Sequence, residues 1–277
     1  MRDNLPPLRV PPRTYAGSMS SRTPLAGRRI AITGGARGIG LETARALTAL
    51  GASVFTGDLD AELAQREAEA IGATGSELDV TDEQSFAAFV ERIGKIDVLV
   101  NNAGIMPTGP FLDQSPELVE QMFAVNVYGT VRGVRLALPA MLERGDGQIV
   151  NIASVAGRTV AAGMSNYCAT KHAVVGLTRT LMREHHGSGV RFTLVMPTFT
   201  RTRMTAGAVS NRIPVAEPTD VAAGIAGAIV RPRDELIVPR SASALIHAAE
   251  LLPRRVGDTV SRALGADEMF YPGDASA

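Results

Sequence analysis

The sequence predicts an α/β fold, with a doubly wound parallel sheet of about seven strands and helices on both faces. Three observations lead there. Short apolar runs suited to buried strands alternate with helical segments along residues 28–240. That alternation marks βαβ units, whose crossovers cover both faces of a parallel sheet. A glycine cluster joins the first apolar run to the first helical segment, and no linker or solenoid-length repeat divides the stretch. It therefore reads as one domain, 27–240.

Arg28 to Thr33 is the first strand, a short apolar run. The glycines Gly34, Gly35, Gly38 and Gly40 follow, then a helix over Leu41–Leu50 that Gly51 ends. Ala52–Asp58 is the second strand and Ala61–Ile71 an Ala/Glu-rich helix. Gly75–Val80 is a third strand. Thr81 with Gln84 then opens a helix as a capping box. Ile96–Val100 is the fourth strand, ending in Asn101-Asn102-Ala103-Gly104. A long helical region runs from about Pro116 to Glu143. Gln148–Ile152 is the fifth strand, and a helix with an apolar stripe carries Tyr167 and Lys171. Val190–Met196 is the sixth, stopped by Pro197. Pro218–Val230 is a helix with proline at its start, and Glu235–Pro239 a short seventh strand.

The flanks read differently. Residues 1–26 are rich in Pro, Arg and Ser, have no period, and lack the apolar run of a secretory signal, so a disordered tail is expected. Residues 241–277 read as two helical pieces, the second with Val256, Val260 and Leu264 at four-residue spacing. They are expected to pack on the domain or on a partner subunit; a membrane-surface role is the less favoured alternative.

The 28 basic and 28 acidic residues cancel, and a nucleic-acid binder usually carries a basic excess. One cysteine, Cys168, allows neither an intramolecular disulfide nor a zinc cluster and fits a reducing, cytoplasmic setting. It reads as a structural helix residue, and no metal site is expected. No apolar run approaches the ~20 residues that span a bilayer.

Thr33-Gly34-x-x-x-Gly38-x-Gly40 sits where a strand hands over to a helix. Glycine there lets the chain turn tightly and lets a pyrophosphate approach the helix N-terminus, whose N–H groups and dipole favour anions. The spacing differs from the commonest dinucleotide fingerprint, and a purely structural turn is the alternative. Asp58 lies about twenty residues on, at the end of the second strand. Its carboxylate can accept hydrogen bonds from both adenosine ribose hydroxyls and would repel a 2′-phosphate, which favours NAD over NADP. Arg37 argues the other way, and Asp58 could instead cap the next helix. Asp79 could meet an adenine amino group with Val80 against the ring, or could itself cap a helix.

Tyr167 and Lys171 are four apart on one helix and so share a face. Ser154 stands just past the fifth strand. The hydroxyl, phenol and ammonium could converge on one small polar group.

Together, Thr33-Gly-x-x-x-Gly-x-Gly40, Asp79, Asn101-Asn-Ala-Gly104, Asn126, Ser154 and Tyr167-x-x-x-Lys171 resemble the short-chain dehydrogenase/reductase family over about residues 28–240. Each motif is common alone; their joint order is specific. The resemblance implies a single Rossmann-type domain and NAD(P)-dependent interconversion of an alcohol and a carbonyl, in a homodimer or homotetramer. It implies Tyr167 as acid/base, Ser154 holding the substrate oxygen, and Lys171 on the nicotinamide ribose. Asn126 would hold a water that links Lys171 to solvent. It further implies that Gly34, Arg37, Gly38, Ile39 and Gly40 line the pyrophosphate turn, that Asn102, Ala103 and Gly104 lie by the adenosine ribose, and that Pro197, Thr198, Thr200 and Thr202 meet the nicotinamide amide. A nearby ammonium and an oxidised nicotinamide would both draw the phenol below its ordinary value. One departure stands out: the family usually has Pro-Gly where this chain has Pro197-Thr198.

The family places specificity after the sixth strand, here residues 201–214, which read as a mobile lid bearing Arg201 and Arg203. Met106, Ala156, Val160, Ala161 and Met164 are further candidate wall residues. Most are apolar, so an apolar secondary alcohol or ketone is expected. Two other readings compete: a silent nucleotide-binding sensor of the same fold, which intact Ser154, Tyr167, Lys171 and Asn126 argue against, and a sugar-nucleotide epimerase, for which 241–277 leave little room.

Overall fold

All seven apolar runs become strands of one parallel sheet in the computed structural model, which describes residues 24–205, 215–239 and 241–243. The strands are β1 (Arg29–Thr33), β2 (Ser53–Asp58), β3 (Thr74–Glu77), β4 (Val98–Asn101), β5 (Gly147–Ile152), β6 (Val190–Pro197) and β7 (Glu235–Val238). The helices are α1 (Gly38–Ala49), α2 (Ala61–Glu69), α3 (Glu83–Ile93), α4 (Pro116–Phe123), α5 (Gly129–Arg144), α6 (Ser165–Glu184) and α7 (Pro218–Val230). Strand order is β3-β2-β1-β4-β5-β6-β7. The order reverses between β1 and β4. A sheet of this kind opens a ligand crevice there, outside the carboxyl ends of its strands.

Alternating side chains feed two cores. Ile30, Ile32, Val98, Val100, Val150 and Ile152 face one way, against Leu47 of α1 and Val221 and Ile225 of α7. Ala31, Leu99 and Ile149 face the other way, against Phe86 and Phe89 of α3, Met141 of α5 and Leu181 of α6. A sheet with apolar residues on both faces must be covered on both, as expected for parallel strands.

A polar chain runs through the second layer. Asn101 and Asn151 are register partners on β4 and β5. Asn101 Nδ2 donates to Asn151 Oδ1 at 2.9 Å, and Asn151 Nδ2 donates to Thr178 Oγ1 of α6 at 2.9 Å.

Some boundaries differ from expectation. α1 begins at Gly38, within the glycine cluster, not at Leu41. β3 ends at Glu77, so Asp79 and Val80 lie beyond it. The helix after β3 is capped by Asp82, whose carboxylate accepts from Ser85 N at 2.7 Å. Thr81, the expected cap, turns its hydroxyl back to Asp79 Oδ1 at 2.7 Å. The helical stretch from Pro116 to Arg144 is unbroken but contains a widened π turn, Ala124–Tyr128. The tail expected over 1–26 falls outside the described residues except for 24–26. The C-terminal helices fall outside them beyond 243, and the lid segment beyond 205.

Candidate active site

The crevice between β1 and β4 is shaped mainly by backbone. Gly34 and Gly38 hold φ of +65° and +55°, in the region that side chains disfavour. At Gly40 a Cβ would stand 2.1 Å from Gly34 O and 2.7 Å from Asn102 Nδ2. The turn is braced from β4: Asn102 Nδ2 donates to Thr33 O at 3.0 Å and to Gly34 O at 2.9 Å, while Thr33 Oγ1 accepts from Asn102 N and Ala103 N, both at 3.0 Å. Thr33 belongs to the glycine motif, yet its bracing role depends on the distant Asn102.

This turn fits a dinucleotide pyrophosphate. α2 and α3 open on the side-chain caps Asp60 and Asp82, whereas α1 opens on Arg37 with no side-chain cap and no acid in its first turn. Its leading N–H groups thus stay available to an anion. Arg37 Nε is buried with no partner in the protein. A Cβ at Gly38 would meet only the methyl and Cβ of Thr202, at 3.6 and 3.9 Å, so that side of the turn is open.

Asp58 stands at the end of β2, where Oδ2 accepts from Ala36 N at 3.1 Å and Oδ1 from Asp60 N at 3.3 Å. It does not cap α2; Asp60 does, accepting from Leu63 N at 3.1 Å. Asp60 also pairs with Arg37 at 2.9 Å. Asp79 Oδ1 caps its own turn, accepting from Thr81 N at 2.8 Å and from the Thr81 hydroxyl. Val80 is buried beside Gly129, its Cγ2 2.9 Å from where a Cβ of that glycine would stand.

Across the crevice, β5 and α6 bring the predicted polar group together. Ser154 follows β5 in extended backbone, with its hydroxyl near enough to the Tyr167 phenol to favour the phenolate. That hydroxyl also accepts from Ala156 N at 3.1 Å and reaches Pro197 O at 3.5 Å. Tyr167 and Lys171, 7% and 5% exposed, share the inward face of α6. Lys171 Nζ lies 5.6 Å from the Tyr167 ring centroid and donates to Ile152 O at 3.1 Å. A Cβ on Gly104 would sit 3.2 Å from Asn126 Oδ1 and 3.6 Å from Lys171 Nζ, so its bare backbone leaves a gap beside both.

The π turn aims Asn126 into this group. Gly129 N bonds Ala124 O, five residues back, and the Asn126 carbonyl accepts the Thr130 hydroxyl at 2.9 Å. Such wide turns recur at functional sites. The Asn126 side chain accepts from Ile105 N at 2.8 Å and donates to Ile105 O at 2.9 Å and Thr170 Oγ1 at 3.1 Å. Thr170 is a contact that sequence reasoning missed; its position one residue before Lys171 was the available signal.

Burial governs the titration here. It pushes the Tyr167 phenol up to about 12, against the opposing influence of the Ser154 hydroxyl. It brings the Lys171 ammonium down to about 8. The expectation that Lys171 draws the phenol down is corrected: in the protein alone, desolvation of the neutral-favouring site prevails.

The sixth-strand departure is accommodated. Among the described residues no non-glycine has positive φ, so Thr198 needs no glycine-only conformation. Its N–H bonds Val238 O at 2.8 Å and its carbonyl accepts the Thr200 hydroxyl at 3.0 Å. Arg201 is held by Glu217 at 2.9 Å. Arg203 and Val160 are exposed. Of the candidate wall residues, Ala156 and Met164 form an apolar cluster with Met122, Tyr167 and Cys168, against which Ile105, Met106 and Ala161 pack.

The family model described as short chain dehydrogenase matches residues 28–212. The 2,5-dichloro-2,5-cyclohexadiene-1,4-diol dehydrogenase LinX of Sphingobium indicum is 36% identical over 219 residues, 72% of this chain and 88% of that protein. The 2-(S)-hydroxypropyl-CoM dehydrogenase 3 of Xanthobacter autotrophicus is 43% identical over 185 residues, 63% of this chain and 72% of that protein. Among solved structures, a short chain dehydrogenase/reductase from Burkholderia phymatum in complex with NAD superposes with a TM-score of 0.73 at 29% identity, covering 80% of this chain and 92% of that one.

Proposed function

The chain belongs to the short-chain dehydrogenase family and is an NAD(P)-dependent oxidoreductase; from that premise we propose that it interconverts an apolar secondary alcohol and its ketone, with NAD as preferred carrier and Tyr167 exchanging the proton. The observation that carries this reading is the buried Tyr167 phenol with the Ser154 hydroxyl near it and Lys171 Nζ 5.6 Å from its ring.

Hydride transfer is what a nicotinamide supplies when bound at the glycine turn, and the chain's own residues do the rest. In reduction, Ser154 donates to the carbonyl oxygen as negative charge grows there. Tyr167 gives its phenolic proton to that oxygen while the adjoining carbon receives hydride. The phenol is neutral at neutral pH and is already in the donating form. In oxidation the phenol must first lose its proton, which a positive charge beside it favours. Lys171 would meet the nicotinamide ribose hydroxyls. A water linking it to solvent would rest on the oxygens of Asn126, since both side-chain N–H groups are spent on Ile105 and Thr170.

The NAD preference rests on Asp58 at the end of β2 and on Arg37 being held by Asp60. The apolar substrate rests on Met106, Ala161 and Met164 beside Tyr167. The two relatives' names, a diol and a hydroxypropyl dehydrogenase, both specify an alcohol. Assembly as a homodimer or homotetramer in the cytoplasm completes the reading; the free, buried Cys168 suits a reducing compartment.

Replacing Tyr167 by Phe tests the assignment. Ketone reduction is expected to fall by roughly 10²–10⁴-fold, while NADH titrated by fluorescence binds as before. Near-wild-type turnover in that variant rejects Tyr167 as the acid/base.

A further inference from the structure

Two loops flank the Tyr167 end of the crevice, one between β4 and α4, the other between β5 and α6. A closed circuit of hydrogen bonds joins them. Asn166, one residue before Tyr167 and 9% exposed, donates through Nδ2 to Gln114 Oε1 at 2.8 Å. Gln114 Nε2 donates to Gly109 O at 3.3 Å. Gly109 N donates to Gly163 O at 2.9 Å, and Gly163 leads into Asn166 through Met164, which immediately precedes α6. Gln114 thus uses both ends of its amide, one on its own loop and one on the first turn of α6. The next residue, Ser115, caps α4. One side chain ties the entry to α4, the bend at Gly109 and the first turn of α6.

What lies between the tied loops is apolar. Ile105 and Met106 come from the first, Ala161 and Met164 from the second, and all pack around Tyr167. None of these side chains fixes a spacing by itself, and methionine adapts to what it meets. The separation of the two walls is set by directional bonds, and the Gln114–Asn166 pair supplies a side-chain to side-chain bond between them. Both amides are uncharged, so the tie is indifferent to pH near neutrality.

We propose that Gln114, acting through Asn166, is a positioning residue that sets the width of the apolar slot beside Tyr167 and thereby the bulk of ketone the enzyme accepts. The inference rests on the alcohol–ketone reading above. It assigns Gln114 no contact with substrate or cofactor.

The test uses Gln114→Met, which keeps the side chain's length and removes both hydrogen bonds, and the exchange Q114N/N166Q, which keeps the amide pair at the same total length. Each is assayed with NADH against cyclohexanone and 4-tert-butylcyclohexanone, beside the wild type and Tyr167→Phe. In Gln114→Met the kcat/KM ratio between the two ketones is expected to shift by about tenfold towards the bulkier, the scale on which apolar pockets discriminate. The change should lie in KM, with kcat on cyclohexanone and the NADH dissociation constant within about twofold of wild type. The exchange variant should restore the ratio. A uniform fall on both ketones, an unchanged ratio, or an exchange variant that recovers thermal stability but not selectivity overturns the inference. If Gln114→Met fails to fold, the exchange variant beside Asn166→Leu decides it by the same ratio. A wild type that binds NADH and reduces neither ketone overturns this slot assignment, and wild-type-like turnover by Tyr167→Phe overturns the functional reading separately.

Discussion

The two sides of the crevice are built from different materials. The glycine side is a backbone surface: Gly34, Gly38 and Gly40 place the chain, Asn102 and Thr33 brace it, and α1 starts with no side-chain cap. The Tyr167 side is a side-chain surface, in which a hydroxyl, a phenol and an ammonium stand among methionines and alanines. The contrast follows from what each holds. A pyrophosphate is the same in every turnover and is well met by fixed N–H groups. A reacting oxygen must gain and lose a proton, which only a titratable side chain provides. At Gly34 and Gly40 the backbone leaves no room for an added atom; side chains can be exchanged at the cost of rate or range.

The sharpest way to break the contrast is on the backbone side. Gly40→Ala puts a methyl 2.1 Å from Gly34 O, a contact no rotamer relieves. NADH affinity by fluorescence titration is expected to fall by ~100-fold or more, the scale of losing oriented anion contacts together with the turn. Binding within a few-fold of wild type would show the turn to be more pliant than its packing implies.

A smaller effect separates the charged rim of that surface from its backbone. Asp58→Ala leaves the glycine turn in place and removes the carboxylate at the end of β2. The NAD-to-NADP ratio of kcat/KM should fall by roughly 10–100-fold, a few kcal/mol of like-charge repulsion being relieved. An unchanged ratio would reject the ribose role of Asp58.

The third test is of stability on the side-chain surface. Lys171 is held near 8, below its ordinary 10.5, because burial disfavours the ammonium. Its lowered value means the unfolded chain binds the extra proton between those limits, so this site's cost to stability is full below pH 8 and fades as pH rises towards 10.5. Lys171→Met should therefore raise the stability of the cofactor-free protein at pH 7 by ~1–3 kcal/mol, part of the gain being offset by the lost bond to Ile152. Thermal melts should show the advantage at pH 7 and its decline above pH 8. A variant that is less stable at pH 7 would mean that bond outweighs the buried charge. Alkaline conditions act oppositely on Tyr167: its raised value favours the folded state least above pH 10, where the unfolded phenol ionises first.

Much of this was legible in the chain. Apolar runs and their intervals give the seven strands, and the proline before a helical pattern places α7 at Pro218–Val230. The four-residue interval between Tyr167 and Lys171 puts both on one face because helical geometry alone dictates it. What stayed hidden depends on tertiary contacts. Nothing near Ala124 announces a wide turn, since it exists to seat Asn126 against Ile105 and Thr170. Thr81 and Asp82 are both competent caps, and Asp79 claimed the first. The Gln114–Asn166 bond spans 52 residues and has no local signal. The phenol's raised value reflects its depth, which spacing cannot report.

The buried chain from Asn101 through Asn151 to Thr178 bears on how the two surfaces come to face each other. Asn101 leads into Asn102 and the glycine brace, and Asn151 precedes Ser154 by three residues. Slipping β5 by one place along β4 would turn Asn151 to the opposite face and strand its amide among aliphatic side chains. Each orphaned polar group would cost about 1–3 kcal/mol. A purely aliphatic seam would forgive such a slip. The asparagines act instead as a vernier: they penalise every alignment of β5 on β4 except the one that sets Ser154 opposite the glycine turn.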